Sequence, residues 1–575
     1  MHYVVTQPVI LLMCLSAPWA TCLAGHTDGR QHTKPQAPAL PTEPVFESKA
    51  EPASTGDVLL EAMVDELQRS MAELRLPDLP GPYFIQFRAQ DRVTVGMSSA
   101  YGGLLRLNKR HTRRFRSQVR VGSYVLDNTT DGARGLGASL PLDDDYVALR
   151  HAMWWATDGS YKLAVEALTR KQTYLKDKKI EDRPDDFSRS DPVVAFEPRA
   201  EIDFDAEEWV DHIKRLSAEF CKYPRIQNSS VRLFAGKVDE YTVNSEGTRL
   251  RTGDTGIHIR IGAEMQAPEG MPLHDHLEYL QERLQELPSI EEMISDIDGM
   301  CAKLIELSEA PIVEQYTGPV LFDPIAAAKV FEALLARGVC ARPVPLGGGT
   351  SSTVNLEKRI GLRILPRSFQ VYDDPRQALF SGSLLAGHYT YDDEAVPATR
   401  VDIVKNGVLR NLLAGRTPSR TAGHSTGHGR SVDIGRARAS IGCLYINDDN
   451  AVPERELKQR LVDAAREEGL KYGLRVESMR SNGYAGLGSP VYAYKVYVED
   501  GREELIRGLD FLPVRTRLLK RILASGEQRR VYNSAAPIVT SIVAPAILVE
   551  ELELTKLREE YDKLPILKPP AMRDK

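Results

Sequence analysis

The spacing of apolar side chains changes period several times along the chain, and each change marks an element. Leu60, Met63, Leu67, Met71 and Leu74 recur three or four residues apart and predict one face of a helix that starts near Asp57. The period then drops to two. Residues 83–87, 93–97 and 117–121 predict short strands with Gly-containing turns between them. Residues 142–175 predict a long helical region. Asp143, Asp144 and Asp145 suit its N-terminus, and Tyr146, Trp154, Trp155, Tyr161 and Tyr174 are expected as core or interface aromatics. Asp205 and Glu208 stand at capping-box spacing ahead of an apolar stripe of Trp209, Ile213, Leu216 and Phe220. Alternation returns at 231–235, 240–243, 248–251 and 257–261, a predicted meander with Asn244-Ser245-Glu246-Gly247 as a turn. Two helices are predicted next. The first opens on the polar stretch with His274 and His276, and the second has Ser289 and Glu292 at capping-box spacing.

A second region is expected from about Tyr316. Asp323 followed by Pro324 reads as an N-cap with proline at the first helical position, and Ile325, Ala328, Phe331 and Leu335 give the buried face ahead of Gly338. From there β-like runs alternate with Gly-rich loops, broken by a helix expected over 454–472. Asn406-Gly407 is a strong hairpin signal. The expected fold class is α/β (α+β), with an N-terminal α/β domain over 57–315, a β-rich C-terminal domain over 316–556 and a tail over 557–575.

Composition adds the compartment. Residues 9–15 form an apolar run too short for a membrane span, and the small residues Ala20-Thr21-Cys22-Leu23-Ala24 follow it. A signal peptide over 1–24 is expected, with export to the periplasm or exterior; a tether through lipidated Cys22 is the alternative. Residues 25–56 are rich in Pro, Thr, Ala and charge and are expected to be a disordered linker. With 575 residues, a net charge of -6 and no basic balance, the chain gives no nucleic-acid footprint. The arginines from Arg106 to Arg120 are expected on the solvated face of a strand. Six scattered cysteines without a CxxC pair do not make a disulfide scaffold, and Cys221 and Cys301 are expected as buried core thiols.

Candidate chemistry is sparse. A zinc peptidase helix needs two histidines one turn apart with Glu beside the first, and none of the 12 histidines is followed by Glu. His424 and His428 are four apart, but glycines deny them a helix. Gly423-His424-Ser425-Thr426-Gly427 matches a nucleophile elbow by letter, yet neither flank supplies the strand or the helix an elbow requires. Residues 346–352 are glycine-rich but lack the lysine of a phosphate loop. Asp392-Asp393-Glu394 could hold a cation or orient an amine, and is expected as a solvated turn.

Five motifs in order carry a resemblance: Asn244-Ser245-Glu246-Gly247-Thr248; Tyr316-Thr317-Gly318-Pro319-Val320-Leu321-Phe322; Asp392-Asp393-Glu394 through Val396-Pro397 and Arg400; Asn406-Gly407-Val408-Leu409; and Thr426-Gly427-His428-Gly429-Arg430. Together they resemble the TldD/PmbA family of metallopeptidase-related proteins. The resemblance implies dimers enclosing a chamber that admits unfolded peptide. Catalytic members carry HExxxH and a late cysteine as zinc ligands; the matching register here is Phe322, Asp323 and Ala327, and no cysteine follows Cys443. That implies a PmbA-like member with no cofactor of its own, acting on peptide substrate as a homodimer or beside a zinc-bearing TldD-like subunit. Gly427, His428, Gly429 and Arg430, with Asp393 and Glu394, are the expected substrate contacts, made by addition of an extended chain to a sheet edge. No nucleic acid, and no membrane span beyond the leader, is expected. The alternatives are a non-catalytic binding or assembly protein of the cell envelope and a hydrolase using Ser425.

Overall fold

In a computed structural model of the chain, residues 56–129, 135–343, 356–480, 486–535, 537–557 and 570 are described, and all of them belong to one unit, Ser54–Lys575. The expected leader, nearly all of the linker, the glycine-rich stretch 346–352 and most of the tail lie outside the described residues.

Asp57 caps α1 (Val58–Glu73) by accepting from Leu60 N at 3.3 Å. Two 19-residue strands follow, β1 (Pro82–Ala100) and β2 (Gly103–Val121), joined through Tyr101 and Gly102 at positive φ. Then come β3 (Gly137–Ser139), α2 (Tyr146–Lys178), β4 (Val194–Phe196), α3 (Ala206–Ala218), β5 (Asn228–Asn244), β6 (Arg249–Gln266), β7 (Pro272–Gln281) and α4 (Ile290–Glu309). Among the described residues these strands make one sheet in the order β3-β2-β1-β5-β6-β4, with β7 also on β6. Its pairings are antiparallel except β4 with β6. Ile85, Phe87, Phe115 and Tyr241 bury a core with Met63, Leu149 and Met153 of α1 and α2. Leu233, Ile259 and Ile261 bury another with Ile213 and Leu216 of α3 and Ile297 and Leu304 of α4.

The second sheet begins with β8 (Gln315–Phe322), followed by α5 (Pro324–Phe331), β9 (Phe369–Asp373), the pair β10 (Leu379–Phe380) and β11 (Ser383–Leu384), β12 (Val401–Lys405) and β13 (Val408–Leu409). A second small pair, β14 (Gly429–Arg430) and β15 (Arg438–Ala439), precedes β16 (Cys443–Asp448), α6 (Glu454–Glu467), β17 (Tyr472–Met479), β18 (Pro490–Tyr497), β19 (Glu503–Ile506), β20 (Leu509–Phe511), β21 (Ile522–Ser534) and β22 (Thr540–Lys556). The large sheet runs β13-β12-β9-β16-β22-β8-β17-β18-β19, with β20 and β21 on β22. β22 is central, and residues 540–549 are buried without a break, as a strand covered on both faces requires. Phe322, Val543, Ile547 and Val549 are fully buried, and each contributes about 2 kcal/mol of transfer free energy.

The α+β class and the β-rich C-terminal region hold, as do the 244–247 and 406–407 hairpins and the Ser289–Glu292 capping box. Several finer expectations do not. Residues 83–87 and 93–97 are one strand, because the polar stretch between them contains no breaker and Asp91 is paired across to Arg113 at 2.7 Å. His274 and His276 lie on β7, not a helix, because residues 272–281 pair with β6. The 454–472 helix stops at Glu467, and Tyr472 opens β17. Asp205 caps Glu207 N and Glu208 N without reciprocation from Glu208. Cys221 is exposed in a short turn, whereas Cys301 is buried. Of the α2 aromatics, Tyr161 is buried but Trp155 is 64% exposed. Arg106 and Arg110 are solvated as expected, but Arg113 and Arg120 are buried against carboxylates. Among the described residues no helix is long and apolar enough to cross a membrane.

Candidate functional site

The turn ahead of β12 contains the three adjacent carboxylates. Solvation was the expectation for them; the fold buries two. Asp392 Oδ1 accepts from Glu394 N and Val396 N, both at 2.9 Å, and its Oδ2 accepts from Gly429 N at 2.7 Å. Glu394 Oε2 accepts from Arg416 N at 2.6 Å. Asp392 is 3% and Glu394 7% exposed. The turn is dry because backbone donors from its own loop, from Gly429 and from Arg416 replace water. Burial first, and then the neighbouring Glu394 charge, push the Asp392 carboxyl up to about 7, against the pull of the backbone donors.

Asp393 points the other way. Its Oδ2 accepts from Ser431 N at 2.5 Å and Ser431 Oγ at 3.0 Å, and its Oδ1 faces Arg88 Nη2 at 3.2 Å. Arg88, on β1, also donates to Ser431 Oγ at 2.7 Å and lies 3.5 Å from Glu240 on β5. Arg114 on β2 pairs with Asp433, and Arg92 stands 3.7 Å from the same carboxylate. Cations of the first sheet therefore grip the 429–433 segment. Arg430 lays its guanidinium 4.2 Å above the Tyr389 ring, 3.7 Å from Asp393, and Tyr389 Oη donates to Gly427 O at 3.0 Å.

His428 is fully buried. Nδ1 lies 2.8 Å from Thr426 O and Nε2 lies 3.1 Å from Asp373 Oδ1, so acceptors face both ring nitrogens. Asp373 Oδ1 also accepts from Gly442 N and Cys443 N, each at 3.2 Å. Sequence reasoning assigns Gly427 and Gly429 to an incoming chain, but the close approaches they permit are internal. Gly427 holds φ +70°, and a Cβ there would strike the Pro397 carbonyl. A Cβ at Gly429 would strike the Glu394 carboxylate and come within 3.1 Å of Asp392 Oδ2. The structure thus brings Asp393, Glu394, Gly427, His428, Gly429 and Arg430 together in a packed polar junction.

Three members of the junction have no sequence signal of their own. Arg88 and Asp373 are two. The third, Arg416, is completely buried. Its Nε and Nη2 donate to Ser188 O at 3.1 and 2.7 Å, and Nη2 meets Glu246 Oε1 at 2.8 Å. Phe187 and Phe84 flank the guanidinium at 4.1 and 5.1 Å. Glu246, in the 244–247 turn, was the one half of this pair that a motif pointed to.

Neither remaining chemistry is assembled. Ser425 Oγ donates to Ala414 O at 3.3 Å and accepts from Gly427 N at 3.1 Å, with no strand before it and no helix after it. At the positions that the sequence resemblance matches to the zinc ligands, Phe322 packs its ring 5.9 Å from that of Phe511, Ala327 is fully buried, and the Asp323 carboxylate is held by Arg475 at 3.0 and 2.6 Å. These three do not fit a zinc ion: two offer no donor atom, and the oxygens of the third are engaged by a cation. Among the described residues no group of three or more His, Cys, Asp or Glu side chains is placed to hold a metal.

Residues 315–556, which carry the second sheet and most of this junction, match the family described as the PmbA/TldA metallopeptidase C-terminal domain. The C-terminal region of the chain is thus a TldD/PmbA-type domain. The fold of the chain is similar to that of a candidate modulator of a DNA gyrase from Thermotoga maritima, at TM-score 0.56 and 14% identity over 86% of this chain and 100% of that one. TldE from Thermococcus kodakarensis gives TM-score 0.54 and 14% identity over 86% and 100%. A second candidate modulator of DNA gyrase, from Bacteroides thetaiotaomicron, gives 0.56 and 11% over 87% and 99%. At these identities the likeness is one of fold. No curated protein matches by sequence.

Proposed function

We propose that this chain is an exported, non-zinc TldD/PmbA-type subunit that holds extended peptide and supports proteolysis by a zinc-bearing relative, as a dimer with that relative or with itself. The observation that carries the reading is the filled ligand register: Phe322 and Ala327 are core, and Asp323 is clamped by Arg475. The matching family domain is named for metallopeptidase activity, whereas at the expected ligand positions Phe322 packs on Phe511 and Asp323 pairs with Arg475. The leader supports work outside the cytoplasm.

The test is to purify the exported protein and measure its metal content, its N-terminus and its degradation of an unfolded polypeptide, alone and with a zinc-bearing family member from the same cell. We expect no stoichiometric zinc, a start near Gly25 or at a modified Cys22, and turnover only in the mixture. Chelator-sensitive turnover by this chain alone would overturn the subunit role, and an intact Met1 on cytoplasmic protein would overturn export.

A further inference from the structure

The first sheet has an open edge. β2 pairs with β1 along its length, but on its other side β3 covers only Arg114–Arg116, and Leu140 N donates to Arg113 O at 2.9 Å just beyond. Upstream of that cover, residues 103–111 are all exposed. Arg113 O and Ser117 N, the latter donating to Leu136 O at 3.1 Å, point toward this edge. Strand alternation therefore places the N–H and C=O groups of Leu107, Lys109 and His111 on the same side, facing solvent.

Two features separate this edge from an ordinary solvated one. Leu104, Leu105 and Leu107 are 42%, 68% and 43% exposed, three apolar side chains within four residues. Arg106, Lys109 and Arg110 have no ion-pair partner among the described residues. Further along the same strand the cations are matched, Arg113 with Asp91 and Asp144, Arg114 with Asp433, and Arg120 with Asp127.

We propose that this edge takes up an extended acidic peptide as an additional strand, an inference that rests on the peptide-binding reading above. Backbone groups of Leu107, Lys109 and His111 would pair with any extended chain, which gives affinity without a fixed sequence. Arg106 and Arg110 share one face of β2 and call for carboxylates on that face of the guest, while Leu107, on the opposite face, calls for an apolar side chain. Residues 104–112 span about 30 Å, room for a guest strand of about nine residues. A second copy of the chain fits poorly, because antiparallel self-pairing about Leu107 would set Arg106 and Arg110 of each copy beside those of the other.

The test is fluorescence anisotropy on the full chain with three probes: a labelled peptide of alternating Glu and Val about ten residues long, its Lys/Val counterpart, and a single-stranded oligonucleotide of similar charge to the first. Lys109→Pro removes one outward N–H at a position where a sheet edge tolerates proline. Arg106→Glu with Arg110→Glu reverses the charge at exposed sites and keeps the question open should the proline variant fail to fold. We expect wild type to prefer the acidic peptide, Lys109→Pro to weaken it about fivefold to tenfold, and the charge reversal to exchange the two peptide preferences. Acidic-peptide binding that neither variant alters would place the peptide elsewhere and overturn this inference while leaving the peptide-binding reading intact. Absence of binding by either peptide would overturn both. Binding of the oligonucleotide alone, or self-association abolished by Lys109→Pro, would assign the edge to a different occupant and overturn it as well.

Discussion

Buried Arg416 and partly buried Glu246 meet across 170 residues of sequence, with Nη2 2.8 Å from Oε1. The pair joins the turn between β5 and β6 to the segment that follows β13, and the same guanidinium donates to Ser188 O. Removing one partner of a fully buried pair costs about 3–5 kcal/mol; Glu246 keeps some access to water, so the loss here should fall at or below the low end of that range. Arg416→Met should therefore lower the denaturant midpoint by a corresponding amount. The double variant Arg416→Met, Glu246→Gln should recover part of the loss. A single variant with the wild-type midpoint would mean the pair does not stabilise the fold.

Asp392 should impose a pH dependence of definite sign. Its folded-state value of about 7 lies above the value near 3.9 of an unfolded aspartate. Between the two, the folded protein holds a proton that the unfolded chain has released. The contribution of this group is therefore fully present below about pH 4 and is lost as pH rises toward about 7. Asp392→Asn loses that slope, because an amide does not titrate. Its cost, an Nδ2 group facing Gly429 N–H, is the same at every pH. Thermal melts at pH 5 and pH 8 should show the variant gaining on wild type at the higher pH. A gap that stays constant would refute the buried titration.

Gly429→Ala should destabilise. Its Cβ would meet the Glu394 carboxylate, which is fixed by Arg416 N, and overpacking of this kind costs about 1–3 kcal/mol. Gly423→Ala is the matched control: a Cβ there meets nothing within 4 Å, so its stability should stay within about 0.5 kcal/mol of wild type. Equal melting temperatures for the two variants would contradict the packing described.

Ser425→Ala should leave any peptidase turnover unchanged. The hydroxyl is engaged by Ala414 O and Gly427 N, with no base among its hydrogen-bond partners. Turnover abolished in a folded variant would restore a nucleophile role.

The elements that local chemistry determines were legible in the sequence. Ser289 and Glu292 form the box their spacing implies, and Asn406-Gly407 makes its hairpin. Strand lengths were not, since β1 runs unbroken past Asp91 only because Arg113, 22 residues away, compensates the charge. β7 replaces the expected helix for a similar reason: residues 272–281 are polar on one side and become a strand only when β6 lies alongside. In the junction, the motifs located Asp392, Asp393 and Glu394 but not their burial. Beyond the loop's own Glu394 N and Val396 N, the donors that dry the turn come from Gly429, 37 residues after Asp392, and Arg416, 22 residues after Glu394. Arg416, Arg88 and Asp373 sit in stretches with no distinguishing pattern, and their importance exists only once two distant segments meet.

The hold of Arg88 on Asp393 and Ser431, and of Arg92 and Arg114 on Asp433, bears on how such a chain can change over generations. Recombination near residue 315 would separate each arginine from its carboxylate. A hybrid gene that took its first half from a relative would encode Asp393 and Asp433 facing side chains never selected to neutralise them. Exchange of halves is therefore least disruptive between relatives that already share both members of each pair, above all the buried Arg88 and its carboxylate, while the more exposed Asp433 pairs constrain it less.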